Sequence, residues 1–295
     1  MASTQGTIGI TLGDAAGIGP EIVRQALESR QLDSAFSYRI IGEPVAATPG
    51  QPDAETAKAA LIALEEAARL ALAGEIAAVV TGPIHKFRCQ AAGFHFPGQT
   101  EFFAARCGVK NFAMLLTGGS LTVALVTTHL PLRKVPETLC QSEIVRVGGL
   151  LADFLVARHR REVRIAVAGL NPHAGESGSL GREEIEIIKP AVDRLQQQSS
   201  AVAQFEGPLP PDTLFHRAAQ QEWDGVLCMY HDQGLIPLKL HAFHSGVNVT
   251  LGLPIVRTSP DHGPAFDIAG KGVARPDSMI AAINLAAELA KQRRQ

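Results

Sequence analysis

The chain has 295 residues, 46% of them hydrophobic and 19% charged, with a formal net charge of -2. That length accommodates two domains sharing a cleft, or one large one. The near balance of charge, with no Lys/Arg run longer than Arg160-Arg161 or Arg293-Arg294, excludes an electrostatic footprint for nucleic acid, and no apolar stretch approaches a membrane span.

In chain order the pattern alternates strand and helix. Residues 7–12 read as a strand, 13–19 as a loop and 20–29 as a helix with Pro20 in its first turn. A second strand is predicted at 38–41, an Ala-rich helix at 54–73 and a third strand at 77–81. The runs 123–126, 163–168 and 225–229 are short and rich in Val, Leu and Ala, as buried parallel strands are. Apolar residues at helical spacing fill 137–159. A helix is predicted at 181–197, opened by Glu183-Glu184 where carboxylates favour the helix dipole. Strands at 247–251 and 254–258 precede a last helix at 276–291. Repeated βα units predict an α/β fold with a mainly parallel sheet and helices on both faces.

Three histidines stand where an apolar run breaks into a turn. They are His129 in Thr127-Thr128-His129-Leu130-Pro131, His173 in Asn171-Pro172-His173-Ala174-Gly175, and His231 in Met229-Tyr230-His231-Asp232-Gln233-Gly234. Ligands of open α/β sheets bind beyond the carboxyl ends of strands. Any one of these residues taken singly is better read as capping its own turn, but the threefold repetition reverses that and predicts convergence on one divalent ion with positions left for substrate. The four cysteines, Cys89, Cys107, Cys140 and Cys228, form no Cys-x-x-Cys pair, so His and carboxylate are expected to hold any metal. Unpaired thiols, and a start without the basic and apolar regions of a signal peptide, predict a reducing, cytoplasmic setting.

Two glycine-bearing loops follow strands. Gly13-Asp14-Ala15-Ala16-Gly17-Ile18-Gly19-Pro20-Glu21 is either an anion cradle at a helix N-terminus or a plain tight turn, and it matches neither the dinucleotide nor the Walker pattern. Asp261-His262-Gly263-Pro264-Ala265-Phe266-Asp267-Ile268-Ala269-Gly270-Lys271-Gly272 has the make-up of a nucleotide-cradling turn. His262, Gly263, Ala265 and Asp267 are the expected contacts, with Asp267 accepting from ribose hydroxyls. Lys239, Asn248 and Arg257 lie in or beside apolar segments. A Lys and an Arg together suit a phosphate or carboxylate, whereas each taken singly is better read as a solvated face or a local salt bridge.

Met229-Tyr230-His231-Asp232-Gln233-Gly234, Gly169-Leu170-Asn171-Pro172-His173-Ala174-Gly175-Glu176 and Gly207-Pro208-Leu209-Pro210-Pro211-Asp212-Thr213-Leu214-Phe215 closely resemble motifs of the 4-hydroxythreonine-4-phosphate dehydrogenase family of pyridoxal phosphate synthesis. So do Thr81-Gly82-Pro83-Ile84-His85-Lys86, Thr100-Glu101-Phe102-Phe103 and Gly252-Leu253-Pro254-Ile255-Val256-Arg257-Thr258-Ser259. The resemblance covers nearly the whole chain. It implies two α/β/α domains flanking an active-site cleft, similar to isopropylmalate and isocitrate dehydrogenases, in a homodimer with its sites at the subunit interface. Residues 1–97 with 258–295 would bind nucleotide, and 98–257 would bind metal and substrate and dimerise.

The resemblance further implies a divalent ion (Zn, Mg or Co) on His129, His173 and His231, and substrate contacts from position 99, Thr100, Lys239, Asn248 and Arg257. Asp212 and Lys239 are the candidates for proton handling, Asp212 alternatively for ordering the metal shell. NAD is expected over NADP, because the Asp267 charge repels a 2′-phosphate, an effect that Arg275 offsets in part. The implied reaction is metal-dependent, NAD-linked oxidation, with decarboxylation, of 4-hydroxythreonine 4-phosphate or a similar four-carbon sugar-acid phosphate. Two departures stand out: Gln99 replaces the family's His before Thr100, and the segment 44–52 is short. Relatives on this scaffold oxidise aromatic dicarboxylate dihydrodiols, which is the alternative substrate class. A metal-dependent phosphohydrolase is a remoter alternative and leaves the 262–272 loop without a role. A non-catalytic binding protein would have lost the histidines.

Overall fold

The computed structural model describes residues 5–199 and 201–293. Residues 1–4, at the chain's start, and Arg294 of the Arg293-Arg294 pair lie outside the described residues. The chain runs β1 (Thr7–Thr11), α1 (Gly19–Glu28), β2 (Ser37–Ile41), α2 (Ala54–Leu72), β3 (Ala78–Thr81), α3 (Lys86–Ala91) and α4 (Gln99–Arg106). Next come β4 (Ala113–Gly118), β5 (Leu121–Leu125), α5 (Val135–Thr138), α6 (Gln141–His159) and β6 (Val163–Ala168). A π-turn (Glu184–Ile188) leads into α7 (Lys189–Ser199), β7 (Ala203–Leu209), α8 (Pro211–Ala219) and β8 (Gly225–Cys228). The chain closes with α9 (His231–Ala242), β9 (Val247–Leu251), β10 (Arg257–Pro260) and α10 (Asp277–Arg293).

These elements form two compact units, 1–110 with 247–295, and 111–246. The edges lie at 110/111 and 246/247, not at the 97/98 and 257/258 that the resemblance suggests, and local packing explains the difference. Phe102 of α4 stacks on Phe94 and Phe96 at centroid distances of 5.7 and 5.5 Å, which holds α4 to the chain before it. β9 pairs with β10, so Asn248 and Arg257 stay together in the first unit, with Gln99 and Thr100.

In the first unit the strand order is β2-β1-β3-β10-β9, parallel up to β10, with β9 antiparallel to it. In the second it is β4-β5-β8-β6-β7, parallel except for the β4–β5 hairpin. Each sheet is therefore mainly parallel, as expected of an α/β protein. β3, β5 and β8 are buried along their whole length, the near-continuous apolar pattern of strands covered on both faces. Leu116, Val123, Leu125, Ala166, Val226 and Trp223 anchor the core of the second unit. β10 starts at Arg257, later than the predicted 254, because Pro254 has no N–H for a ladder and follows a Gly252 turn (φ +81°). α2 begins at a capping box: Thr56 N donates to Asp53 Oδ1 at 2.8 Å, and Asp53 N donates to Thr56 Oγ1 at 3.2 Å.

The four cysteines are free thiols, and burial holds Cys89 up at about 11, so it stays protonated. Among the described residues no helix is long and apolar enough to cross a membrane.

Candidate active site

β5 and β8 lie side by side, and their continuation beyond the ladder sets two histidines together. Val126 N donates to Cys228 O at 2.9 Å, and Thr127 Oγ1 donates to Met229 O at 2.8 Å. These bonds hold the turn carrying His129 against the first residue of α9, His231. The two rings stand with centroids 5.6 Å apart at 44°. Two imidazoles ligating one tetrahedral ion at about 2.0–2.1 Å place their centroids roughly 5 Å apart. Asp232 Oδ1 lies 2.7 Å from His231 Nδ1. With the proton on Nδ1 that carboxylate accepts it, leaving the Nε2 lone pair for an ion. The pair borders a pocket of about 390 Å³ that Tyr230, Leu132 and Ile236 also line.

His173 is not brought to this pair. Among the described residues no three His, Cys, Asp or Glu side chains gather closely enough to hold a metal. Of the three histidines expected to converge, His129 and His231 stand together and His173 stands apart. His173 instead begins a left-handed turn: φ is +51° at His173, +50° at Ala174, +81° at Gly175, +43° at Glu176 and +56° at Ser177. Only Gly175 adopts this backbone freely. The other four cost roughly 1–2 kcal/mol each, or roughly 4–8 kcal/mol together, so the surrounding structure must stabilise the turn. Asp212 is exposed on the first turn of α8 and Lys239 half-buried on α9, and neither lines the histidine pocket.

The first unit contains a second cluster, centred on Arg257, which is only 3% exposed. Its guanidinium donates to Thr81 Oγ1 at 2.7 Å and Gln99 Oε1 at 2.9 Å, and more distantly to Asn248 Oδ1 and Thr250 Oγ1, both at 3.4 Å. All four acceptors are neutral oxygens. Nε is buried with no hydrogen-bond partner among the described residues. Burial pulls Arg257 down to about 10, with Glu101 acting in the opposite direction. A desolvated cation held by neutral groups is well suited to an anionic ligand. Gln99 completes the bridge by donating from Nε2 to Gly82 O at 3.0 Å. The amide at position 99 accepts from Arg257 through Oε1 while donating through Nε2. Thr100 is buried beside it.

The two glycine-bearing loops meet in this unit. Ile18 N donates to Pro264 O at 2.8 Å, and a Cβ on Gly17 would fall 2.7 Å from that carbonyl oxygen. Only a residue without a side chain allows this approach. Gly270 N donates to Glu21 Oε2 at 3.2 Å. Ala265 takes φ +44°, His262 Nδ1 lies 3.1 Å from Gly263 O, and Asp267 is exposed. His262 and Gly263 line a cavity of about 220 Å³ together with Thr81, Lys86 and Gln99. Arg275 is engaged by Asp277 at 3.0 Å.

Sequence reasoning missed Thr250, Asp232, Glu184 and Gln233. The adjacent His-Asp pair was the available signal for Asp232. Glu183-Glu184 reads as helix-dipole decoration, whereas Glu184 is 3% exposed and binds backbone N–H groups of the 170–171 segment.

A family model described as pyridoxal phosphate biosynthetic protein PdxA matches residues 15–286. The 4-hydroxythreonine-4-phosphate dehydrogenase of Caulobacter vibrioides is 43% identical over 338 residues, covering 98% of this chain and 99% of that protein. The crystal structure of 4-hydroxythreonine-4-phosphate dehydrogenase from Klebsiella pneumoniae superposes with a TM-score of 0.82 at 38% identity, covering 97% of this chain and 99% of the other. A terephthalate 1,2-cis-dihydrodiol dehydrogenase from Burkholderia xenovorans superposes with a TM-score of 0.67 at 27% identity, over 96% and 98% of the two chains.

Proposed function

The chain belongs to the PdxA family of pyridoxal phosphate biosynthetic proteins, and on that premise we propose that it is a dehydrogenase oxidising 4-hydroxythreonine 4-phosphate. The observation that supports a phosphorylated substrate is Arg257, buried and charged among neutral acceptors. Its guanidinium can take a phosphate oxygen in exchange for the two long bonds to Asn248 and Thr250, with Thr100 and the Gln99 amide fixing the approach. The higher identity to 4-hydroxythreonine-4-phosphate dehydrogenases than to the dihydrodiol enzyme favours the same reading.

The His129–His231 pair fits a divalent ion (Zn, Mg or Co) in separation, and Asp232 orients one ring. The third donor, His173, comes from a second copy of the chain. An exposed apolar stripe on and just beyond α9 (Ile236, 66% exposed; Leu240, 89%; Phe243, 71%) suits that homodimer. NAD rests on the 262–267 loop, with Asp267 toward the ribose. Because Arg275 is paired with Asp277, NAD is preferred to NADP. When bound, a divalent ion would supply a Lewis acid lowering the pKa of the substrate hydroxyl, and nicotinamide would supply the hydride acceptor. The chain's own groups hold the phosphate, fix the reacting carbon and exclude alternative poses. Asp212 or Lys239 takes the hydroxyl proton, and the resulting β-keto acid loses CO2, the carbon left with the electron pair taking up one proton in its place. Free thiols agree with a reducing, cytoplasmic setting.

The test is NADH absorbance across phosphorylated four-carbon hydroxy acids and an aromatic dihydrodiol, with NAD or NADP and a divalent metal. The highest kcat/KM is expected for 4-hydroxythreonine 4-phosphate with NAD. A dihydrodiol or an unphosphorylated acid winning the panel would overturn the phosphate reading, and equal efficiency with NADP would overturn the role of Asp267. Gly17→Ala supplies a separate check on the cofactor loop. The added Cβ meets the Pro264 backbone, an overpacking of about 1–3 kcal/mol on the loop that holds the dinucleotide. NAD affinity by titration calorimetry should fall at least about tenfold. An unchanged Kd would show that this loop does not carry the cofactor.

A further inference from the structure

The left-handed turn that carries His173 is preceded by a three-residue base, Gly169 to Asn171, held from two sides by buried polar side chains. On one side is Gln233, 7% exposed in the first turn of α9. Its Oε1 accepts from Met229 N at 2.6 Å, and its Nε2 donates to Gly169 O at 2.6 Å. It therefore ties the ends of β8 and β6, the strands that lead to His231 and His173. On the other side is Glu184, 3% exposed at the head of the π-turn. Its Oε1 accepts from both Leu170 N and Asn171 N at 2.7 Å, and its Oε2 accepts from Asn171 Nδ2 at 2.9 Å. The Asn171 amide also donates to Glu183 Oε2 at 2.7 Å. A Cβ on Gly175 would lie 2.6 Å from Glu184 Oε2, so the turn wraps the carboxylate closely.

This arrangement fixes the segment from which the left-handed turn starts. Leu170 N, Asn171 N, the Gly169 carbonyl and the Asn171 side-chain amide have partners in the Glu184 and Gln233 side chains, and neither side chain belongs to the turn itself. A π-turn is rare and is found frequently at functional sites. Here it heads the helix with Glu184.

We propose that Glu184 and Gln233 are positioning residues that clamp the 169–171 segment and so fix where His173 presents its imidazole. This rests on the reading of His173 as a metal donor given above. A merely structural role would lower thermal stability and leave metal affinity alone. A positioning role makes metal affinity depend on a carboxylate that does not touch the ion.

The experiment titrates cobalt(II) into the metal-stripped full-length protein, followed by absorbance, with hydrogen exchange of the peptide spanning 170–178 measured on the same samples without metal. Glu184→Gln keeps the size but turns Oε2 into a donor facing the Asn171 amide. Gln233→Glu keeps the bond from Met229 N and loses the one to Gly169 O, and serves where the first variant folds poorly. Each is expected to speed exchange in 170–178 and weaken cobalt binding by about 10–100-fold, the usual effect of losing an outer partner. Wild-type cobalt affinity and exchange in both variants, with His173→Ala losing the metal, would overturn the clamp. Wild-type cobalt affinity in His173→Ala would instead overturn the histidine reading and with it the ligand-positioning role, whatever the exchange data show.

Discussion

Replacing His231 with alanine is expected to lower kcat by on the order of 10³-fold, because removing a donor removes Lewis-acid stabilisation worth several kcal/mol. The fold should survive. His231 is half-buried at the start of α9, and the buried strand β8 before it is untouched. Metal analysis of the purified variant should show loss of most bound ion, and the melting temperature in chelator should match that of the parent. Asp232→Asn provides the graded companion. It keeps the size but removes the carboxylate charge beside Nδ1, so metal affinity should fall about 10–100-fold without abolishing turnover. Full activity of His231→Ala in chelator would remove the metal from the account.

The second large effect is expected at Arg257, where function and stability part company. In the folded protein Arg257 is held near 10, against an ordinary value of 12.5. Between those values the unfolded chain binds a proton that the folded one does not, so folding stability rises with pH through that window. At neutral pH both states are charged and the burial penalty is present in full. Arg257→Met removes that penalty while leaving Thr81 and Gln99 to water in the adjoining cavity, so the melting temperature should stay within a few degrees of the parent. Losing a buried charge-assisted contact to phosphate costs about 3 kcal/mol, or roughly a 10²-fold fall in kcat/KM, and this should appear mainly in KM. The same variant should lose little against a substrate lacking the phosphate. A large fall in melting temperature would make Arg257 a structural residue, and an unchanged KM would remove it from the phosphate site.

Much of this was legible in the sequence, and the parts that were not have identifiable causes. The parallel strands β3, β5, β6 and β8 announced themselves as short apolar runs. β4 went unread because its apolar residues run almost directly into those of β5, with only Gly119-Ser120 between them. β7 carries a period-2 alternation of buried and exposed residues only through Ala203, Gln204, Phe205 and Glu206, and Gly207-Pro208 then interrupts the pattern inside the strand. The pairing of His129 with His231 follows from the adjacency of β5 and β8, which no local pattern specifies. The separation of His173 from that pair arises from consecutive left-handed residues of which only one is glycine, and the usual glycine signal for such a backbone is missing. Glu184 was misread for a related reason: a carboxylate at a helix start has two uses, and only its burial shows that it serves the 169–171 segment.

The most direct test of the account is the initial rate of NADH formation from 4-hydroxythreonine 4-phosphate by the chelator-treated protein, before and after divalent metal is returned, with inorganic phosphate followed in the same cuvette. The account predicts no NADH without metal, restoration by zinc, cobalt or magnesium, and no phosphate release. NADH formation that is indifferent to metal, or phosphate release in the absence of nucleotide, would contradict it.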